Sequence, residues 1–279
     1  MDIAGVRVGG RCPVRIMGVL NASPESFYRG SVRTGARGIA GAARRMEDDG
    51  ADFVDVGGMS TAPYLRTRVP ERTEAARVAA AVRAVAGATN LPISVDTYRA
   101  GPARAALDEG ASIINDVTGL QGDPRMPDLV AERRPAVVLC AHRPGGPGGA
   151  GVAGPLSRSV RIARRCGASG ILLDPAIGFF RRSGSGPVTR IRGGWAGRDA
   201  RAIREISRIR GYPVLVSVSR KSFIGEVVGR GPEGRLAGSL AAEAAAVIYG
   251  ADVIRTHDVA ESRDAAGVAR LLRRMSSSM

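Results

Sequence analysis

Lysine is almost missing from this 279-residue chain: of its 41 basic residues, only Lys221 is not an arginine. Arginine is a planar, permanently charged fork, and lysine is a compact ammonium on a thin stem. A site that needs a point cation in a narrow space accepts the second and rejects the first. An ordinary surface lysine is the rival explanation, but Lys221 follows the apolar run Val214-Leu215-Val216, where a strand opens into a loop or helix. Aromatic residues are scarce as well, at 4 % with a single tryptophan, Trp195. The core must therefore be aliphatic, and the chain offers no stacking platform for nucleic-acid bases. Three cysteines (Cys12, Cys140, Cys166) are an odd number without metal-ligand spacing, which predicts reduced thiols in a cytoplasmic protein. No apolar run approaches the roughly 18 residues that a membrane helix needs. No long apolar stretch follows a basic region at the N-terminus, so no signal peptide is expected.

What is present is a net charge of +15 and 44 % hydrophobic residues, enough for a substantial core. The arginines are spread along the whole chain rather than massed in one tail or helix. Such a diffuse field draws in anionic small molecules; it does not predict a specific nucleic-acid partner or a membrane surface.

Short apolar runs alternate with longer amphipathic segments rich in alanine and arginine. Strands are expected at 15–20, 52–56, 92–95, 112–115, 136–140, 170–173, 213–218 and 252–255. Helices are expected at 35–49, 71–86, 100–109, 125–133, 156–166, 199–210, 235–249 and 262–275. Gly50, Gly110 and Gly250 each close a helix just before a strand. Eight strand–helix units in one chain predict an α/β fold, a (β/α)8 TIM barrel forming a single domain over residues 1–279. An open doubly wound sheet is the runner-up, but no G-x-G-x-x-G follows a strand. Long loops are expected at 144–155 and 181–197.

In a (β/α)8 barrel the C-terminal ends of the strands build the active site. Here those ends carry Asn21, Asp55, Asp96, Asn115, His142, Asp174, the run Ser219-Arg220-Lys221, and Arg255 with His257. Two chemical subsets emerge. Asp96, Asn115, Asp174 and Lys221 combine acceptors, donors and one cation, and suit a flat, nitrogen-rich heterocycle; a carboxylate takes two parallel N–H bonds from an amidine-like edge. Arg255 and His257 are two apart on one strand and point the same way. They read as a clamp for a phosphate-type anion, with Asn21 placed to hold a hydrated Mg²⁺ beside it. Singly, each residue has a plainer use: an aspartate capping a helix, Asn115 satisfying a turn, Arg255 pairing with Asp258.

The runs Met17-Gly-Val-Leu-Asn-Ala-Ser-Pro-Glu-Ser-Phe27, Gly50-Ala-Asp-Phe-Val-Asp-Val-Gly-Gly58, Ile93-Ser-Val-Asp-Thr97, Ile113-Ile-Asn-Asp-Val117, Leu173-Asp-Pro-Ala-Ile-Gly-Phe179, Val218-Ser-Arg-Lys-Ser-Phe-Ile-Gly225 and Ile254-Arg-Thr-His-Asp258 resemble the dihydropteroate synthase family nearly end to end and in the family's order. The resemblance implies a (β/α)8 barrel that joins p-aminobenzoate to 6-hydroxymethyl-dihydropterin pyrophosphate with Mg²⁺, releasing pyrophosphate. It implies that Asp96, Asn115, Asp174 and Lys221 hold the pterin. Asn21, Arg255 and His257 then hold pyrophosphate, with the metal at Asn21. Phe27, Thr61, Pro63, Phe179 and Ser222 line the arylamine site, and Asp55 supports the site beneath the second loop. Lys221, Arg255, His257 and Asp96 form the catalytic set. A homodimer is implied too.

The chain departs from the family pattern where the second loop reads Met59-Ser60-Thr61-Ala62-Pro63-Tyr64: Ala62 replaces an arginine that helps to hold pyrophosphate, and Arg66 or Arg68 is expected to reach back in its place. The fifth strand ends Cys140-Ala141-His142 rather than with the family's Met-His. These departures leave other readings open: a homologue using a ribofuranosyl-aminobenzene phosphate, a pterin-dependent methyltransferase, or a pterin-binding relative without synthase chemistry.

Overall fold

The computed structural model describes residues 1–23, 35–60, 69–141, 153–181, 189–190 and 194–276. Among these, eight strands lie in one all-parallel sheet: β3 (Arg15–Asn21), β4 (Phe53–Gly57), β5 (Ile93–Asp96), β6 (Ile113–Asp116), β7 (Ala136–Cys140), β8 (Gly170–Asp174), β11 (Leu215–Val216) and β12 (Val253–Thr256). Their spatial order is β11-β12-β3-β4-β5-β6-β7-β8. A parallel bridge between Leu173 and Val214, with Leu173 N–H donating to Pro213 O at 3.0 Å, brings the two edges together. This is a (β/α)8 TIM barrel, as the alternation predicts; the open sheet is excluded.

Helices fill the crossovers: α1 (Ala36–Asp48), α2 (Glu71–Ala86), α3 (Ala100–Asp108), α4 (Met126–Arg133), α5 (Ala153–Arg165), α6 (Trp195–Glu205), α8 (Leu236–Ile248) and α9 (Val259–Ser276). Gly50, Gly110 and Gly250 have φ of 88°, 107° and 118°, the left-handed turn that a helix end before a strand requires.

Four features depart from expectation. The seventh strand shrinks to β11, because Pro213 has no amide to give a ladder and Val214 N–H goes instead to the Asp252 carboxylate at 3.0 Å. A short helix, α7 (Ser222–Val228), follows β11 directly. A hairpin of β1 (Asp2–Ile3) and β2 (Val6–Arg7) precedes the barrel. The segment expected as a loop at 181–197 carries two short strands, β9 (Phe180–Arg181) and β10 (Thr189–Arg190), and the start of α6.

The hairpin closes the barrel's N-terminal end. Ile3 and Val8, both fully buried, pack with Met17, Phe53, Ile113, Val138, Leu172, Leu215 and Val253 in an aliphatic plug. The outward-facing strand residues, such as Val54, Val95, Ile114 and Ile254, join the helices in a second, larger core.

Candidate active site at the barrel mouth

Side chains alternate along a strand, so the residues two and four positions beyond the plug share its interior. Phe53 leads to Asp55, Ile113 to Asn115, Val138 to Cys140, Leu172 to Asp174, Leu215 to Ser217 and Ser219, and Val253 to Arg255 and His257. The interior thus changes from hydrocarbon at the base to mostly polar and charged groups at the mouth within one or two steps along these strands.

Arg255 is the hub of that upper layer. Its Nε donates to Asp55 Oδ2 at 2.5 Å and its Nη2 to Asp96 Oδ2 at 2.7 Å. Asn115 Nδ2 donates to the same Asp55 oxygen at 3.1 Å. Asp55 is completely buried, and its Oδ1 has no hydrogen-bond partner among the described residues. The plainer alternative, Arg255 pairing with Asp258, does not form: strand alternation turns Arg255 inward, and Asp258 pairs with Arg220 at 2.7 Å. Asn115 binds a side chain rather than a turn, whereas Asp174 does accept from a turn amide, Ala176 N–H, at 2.7 Å.

Lys221 comes to the same mouth from the residue before α7. Its Nζ donates to Ile177 O and sits 4.9 Å from the centre of the Phe179 ring. Its stem runs against Gly178, which has φ 92° and where a Cβ would lie 3.1 Å from Lys221 Cε. Gly178 N–H is held by Asp199 Oδ1 at 2.8 Å. A lysine fits this slot because its stem is thin, in line with the reading of the lone lysine.

The electrostatics tie these groups together. Burial pushes the Asp96 carboxyl up to about 7; Arg255 pulls it down, and the Asp55 charge pushes it further up. Burial also raises Asp174 and lowers Lys221, each opposed chiefly by the charge of the other. Burial works to lower Arg255, but the carboxylates of Asp55 and Asp96 outweigh it and leave the guanidinium more firmly protonated. His257 is held down at about 3 by burial and then by the charges of Arg255, Arg220 and Lys221, so its ring is neutral at physiological pH. Its Nδ1 lies 2.9 Å from Ser219 Oγ. The mouth therefore presents carboxylates and an amide interleaved with two cations, and a neutral imidazole beside them.

Asn21 ends β3, and its Oδ1 lies 3.3 Å from where a Cβ on Gly57 would stand, so glycine at 57 leaves the amide room. No group of three or more His, Cys, Asp or Glu that could hold a metal occurs among the described residues. Ser222 opens α7 beside Lys221. Phe27, Thr61, Pro63 and His142, together with Ala62, Arg66 and Arg68, lie outside the described residues. Sequence reasoning assigned no role to Arg220, Asp199 or Cys140, all of which hold or neighbour the site. Only Arg220 carried a signal, its place beside Lys221.

The family model described as pterin binding enzyme matches residues 17–257. The chain is 36 % identical over 252 residues to the dihydropteroate synthase of Bacillus subtilis (strain 168), covering 88 % of this chain and 83 % of that protein. It is 34 % identical over 267 residues to inactive dihydropteroate synthase 2 of Mycobacterium leprae (strain TN), covering 89 % and 87 %. Among solved structures, a dihydropteroate synthase from Coxiella burnetii in complex with pteroic acid superposes with a TM-score of 0.82 at 31 % identity, covering 94 % of each chain.

Proposed function

Since the chain belongs to the pterin binding enzymes, we propose that it is a dihydropteroate synthase, a transferase that condenses 6-hydroxymethyl-7,8-dihydropterin pyrophosphate with p-aminobenzoate and releases pyrophosphate. One observation carries this reading: Asp96, Asn115, Asp174 and Lys221 meet Arg255 and His257 at one barrel mouth, so a heterocycle grip and an anion clamp lie side by side. In this reading Asp174, Asn115, Asp96 and Lys221 hold the pterin edge, and Arg255 and His257 hold the diphosphate. Phe179 and Ser222, with Phe27, Thr61 and Pro63, line the arylamine side.

The work asked of the protein is electrostatic. The methylene of a dihydropterin supports positive charge by delocalisation into the ring, and departure of pyrophosphate is eased by cations fixed around it. The arylamine nitrogen is neutral and needs only placing. Asn21 would hold Mg²⁺ through its amide oxygen. A single neutral oxygen donor fits a metal that arrives on the diphosphate and keeps its waters, and when bound that metal supplies further charge stabilisation for the leaving group.

Three free cysteines support a cytoplasmic setting, and no described helix is long and apolar enough to cross a membrane. The exposed row Val268, Leu271, Leu272 and Met275 on α9, together with exposed Ile248 and Tyr249 at the end of α8, supports a homodimer.

The test is pyrophosphate release by purified protein with the pterin pyrophosphate, Mg²⁺ and a panel of arylamines. Release with p-aminobenzoate is expected. The inactive mycobacterial relative and the Ala62 substitution favour one other reading, a pterin-binding protein without synthase chemistry; tight pterin binding with no release for any arylamine would establish it instead.

A further inference from the structure

Ser219 is 3 % exposed, and its hydroxyl touches His257 twice. It accepts the His257 backbone N–H at 3.2 Å and lies 2.9 Å from Nδ1. It has no other hydrogen-bond partner among the described residues. A hydroxyl carries one hydrogen and two lone pairs. With one lone pair committed to the backbone N–H, the buried hydrogen needs an acceptor, and Nδ1 is the one at hand. If Nδ1 carried the proton instead, the hydroxyl would accept twice and its own hydrogen would be buried without a partner, which is unfavourable.

The contact is held rigidly. Arg220, the next residue, has φ 56°. Its guanidinium takes both oxygens of Asp258, the residue after His257, at 2.9 and 2.7 Å, and also the carbonyls of Pro232 and Glu233. Its backbone N–H is fixed by Ser239 Oγ at 2.8 Å. An ion pair between the residues that follow Ser219 and His257 thus locks the two facing side chains together.

We propose that Ser219 is a positioning residue: its hydroxyl donates to Nδ1 of His257 and fixes the ring as the Nε2–H tautomer. In the site as read above, on which this consequence rests, His257 meets a diphosphate oxygen as an N–H donor of fixed orientation and adds no further cation to a mouth already holding Arg255 and Lys221.

The chain has two histidines, so protein labelled with ¹⁵N-histidine shows two imidazoles, and an H142Q variant identifies His257. The Nε2–H tautomer is expected for His257 throughout about pH 6–8. In S219A the two tautomers should mix, with the far-ultraviolet circular dichroism unchanged. S219T, which keeps the hydroxyl, should restore the single form. A proton on Nδ1 in the unmutated protein, or an S219A ring indistinguishable from it, overturns the proposal. S219A should also lose about tenfold in kcat at unchanged arylamine KM, the lower end of what removal of a histidine's hydrogen-bonded partner costs at metal sites. Inorganic pyrophosphate with Mg²⁺ should shift the Nε2 signal. Absence of that shift would remove the diphosphate clamp from the functional reading, while the tautomer is decided by the spectrum of the free protein alone.

Discussion

At Lys221 the width of a side-chain stem decides between two cations. The slot under Gly178 and beside Phe179 admits methylenes and ends at the Ile177 carbonyl. A guanidinium in that place keeps the charge but has to push Gly178 aside. Lys221→Arg is therefore expected to weaken pterin binding by more than about tenfold, or about 1.4 kcal/mol, measured by calorimetric titration with the pterin pyrophosphate; an affinity within twofold of the original removes the argument from stem width. This residue was legible because it contradicts its own composition. The role of Arg220 was not, for the opposite reason: its place beside Lys221 put it at the mouth, but among so many arginines nothing marked it as the partner of Asp258. Asp199 was equally silent, since its acceptor role toward Gly178 spans 21 residues between separate elements. The carboxylates that hold Arg255 were not legible either, because sequence neighbours such as Asp258 look like partners. Alternation sends residue 255 inward, to a carboxylate 200 positions away.

The strands and helices of the barrel could be read with small errors at their ends, because a two-residue period and a 3.6-residue period are hard to confuse over whole segments. The elements that escaped are too short to have a period. The hairpin β1–β2 has two residues in each strand, and α7 has seven residues in all. Both matter out of proportion to their length, one sealing the base and the other opening beside Lys221. Ile3 is the test of the seal. Ile3→Ala should lower stability by about 2–5 kcal/mol, seen as an earlier midpoint in urea, with the KM for both substrates unchanged because the plug lies at the opposite end from the chemistry. A change in KM without a change in midpoint would mean that base and mouth are not separate.

For the molecule as a whole, one buried carboxyl makes stability depend on pH. Glu243 on α8 is fully buried beside Thr256 of β12 and Ser262 of α9, whose hydroxyls bond each other at 2.8 Å. Neither of its oxygens has a well-formed hydrogen bond among the described residues. Burial pushes it up to about 7 from an ordinary 4.5, with Ser262 and Thr256 pulling the other way. The folded chain then holds this proton over a range in which the unfolded chain has released it, so stability falls as pH rises from about 4.5 to 7 and levels off above. The span corresponds to a loss on the order of 3 kcal/mol. Glu243→Gln should raise the melting temperature at pH 8 (about one unit above that titration) by more than at pH 5 (near its lower limit). An equal effect at both would show that the carboxyl is already ionised or solvated.

The tripeptide Ser219-Arg220-Lys221 engages three different places at once: an imidazole, a carboxylate at the start of α9, and a carbonyl below the heterocycle side of the mouth. Adding or deleting one amino acid in that stretch would disengage all three together. Its length is thereby frozen, and the freedom to vary in size passes to the connections that follow other staves of the barrel.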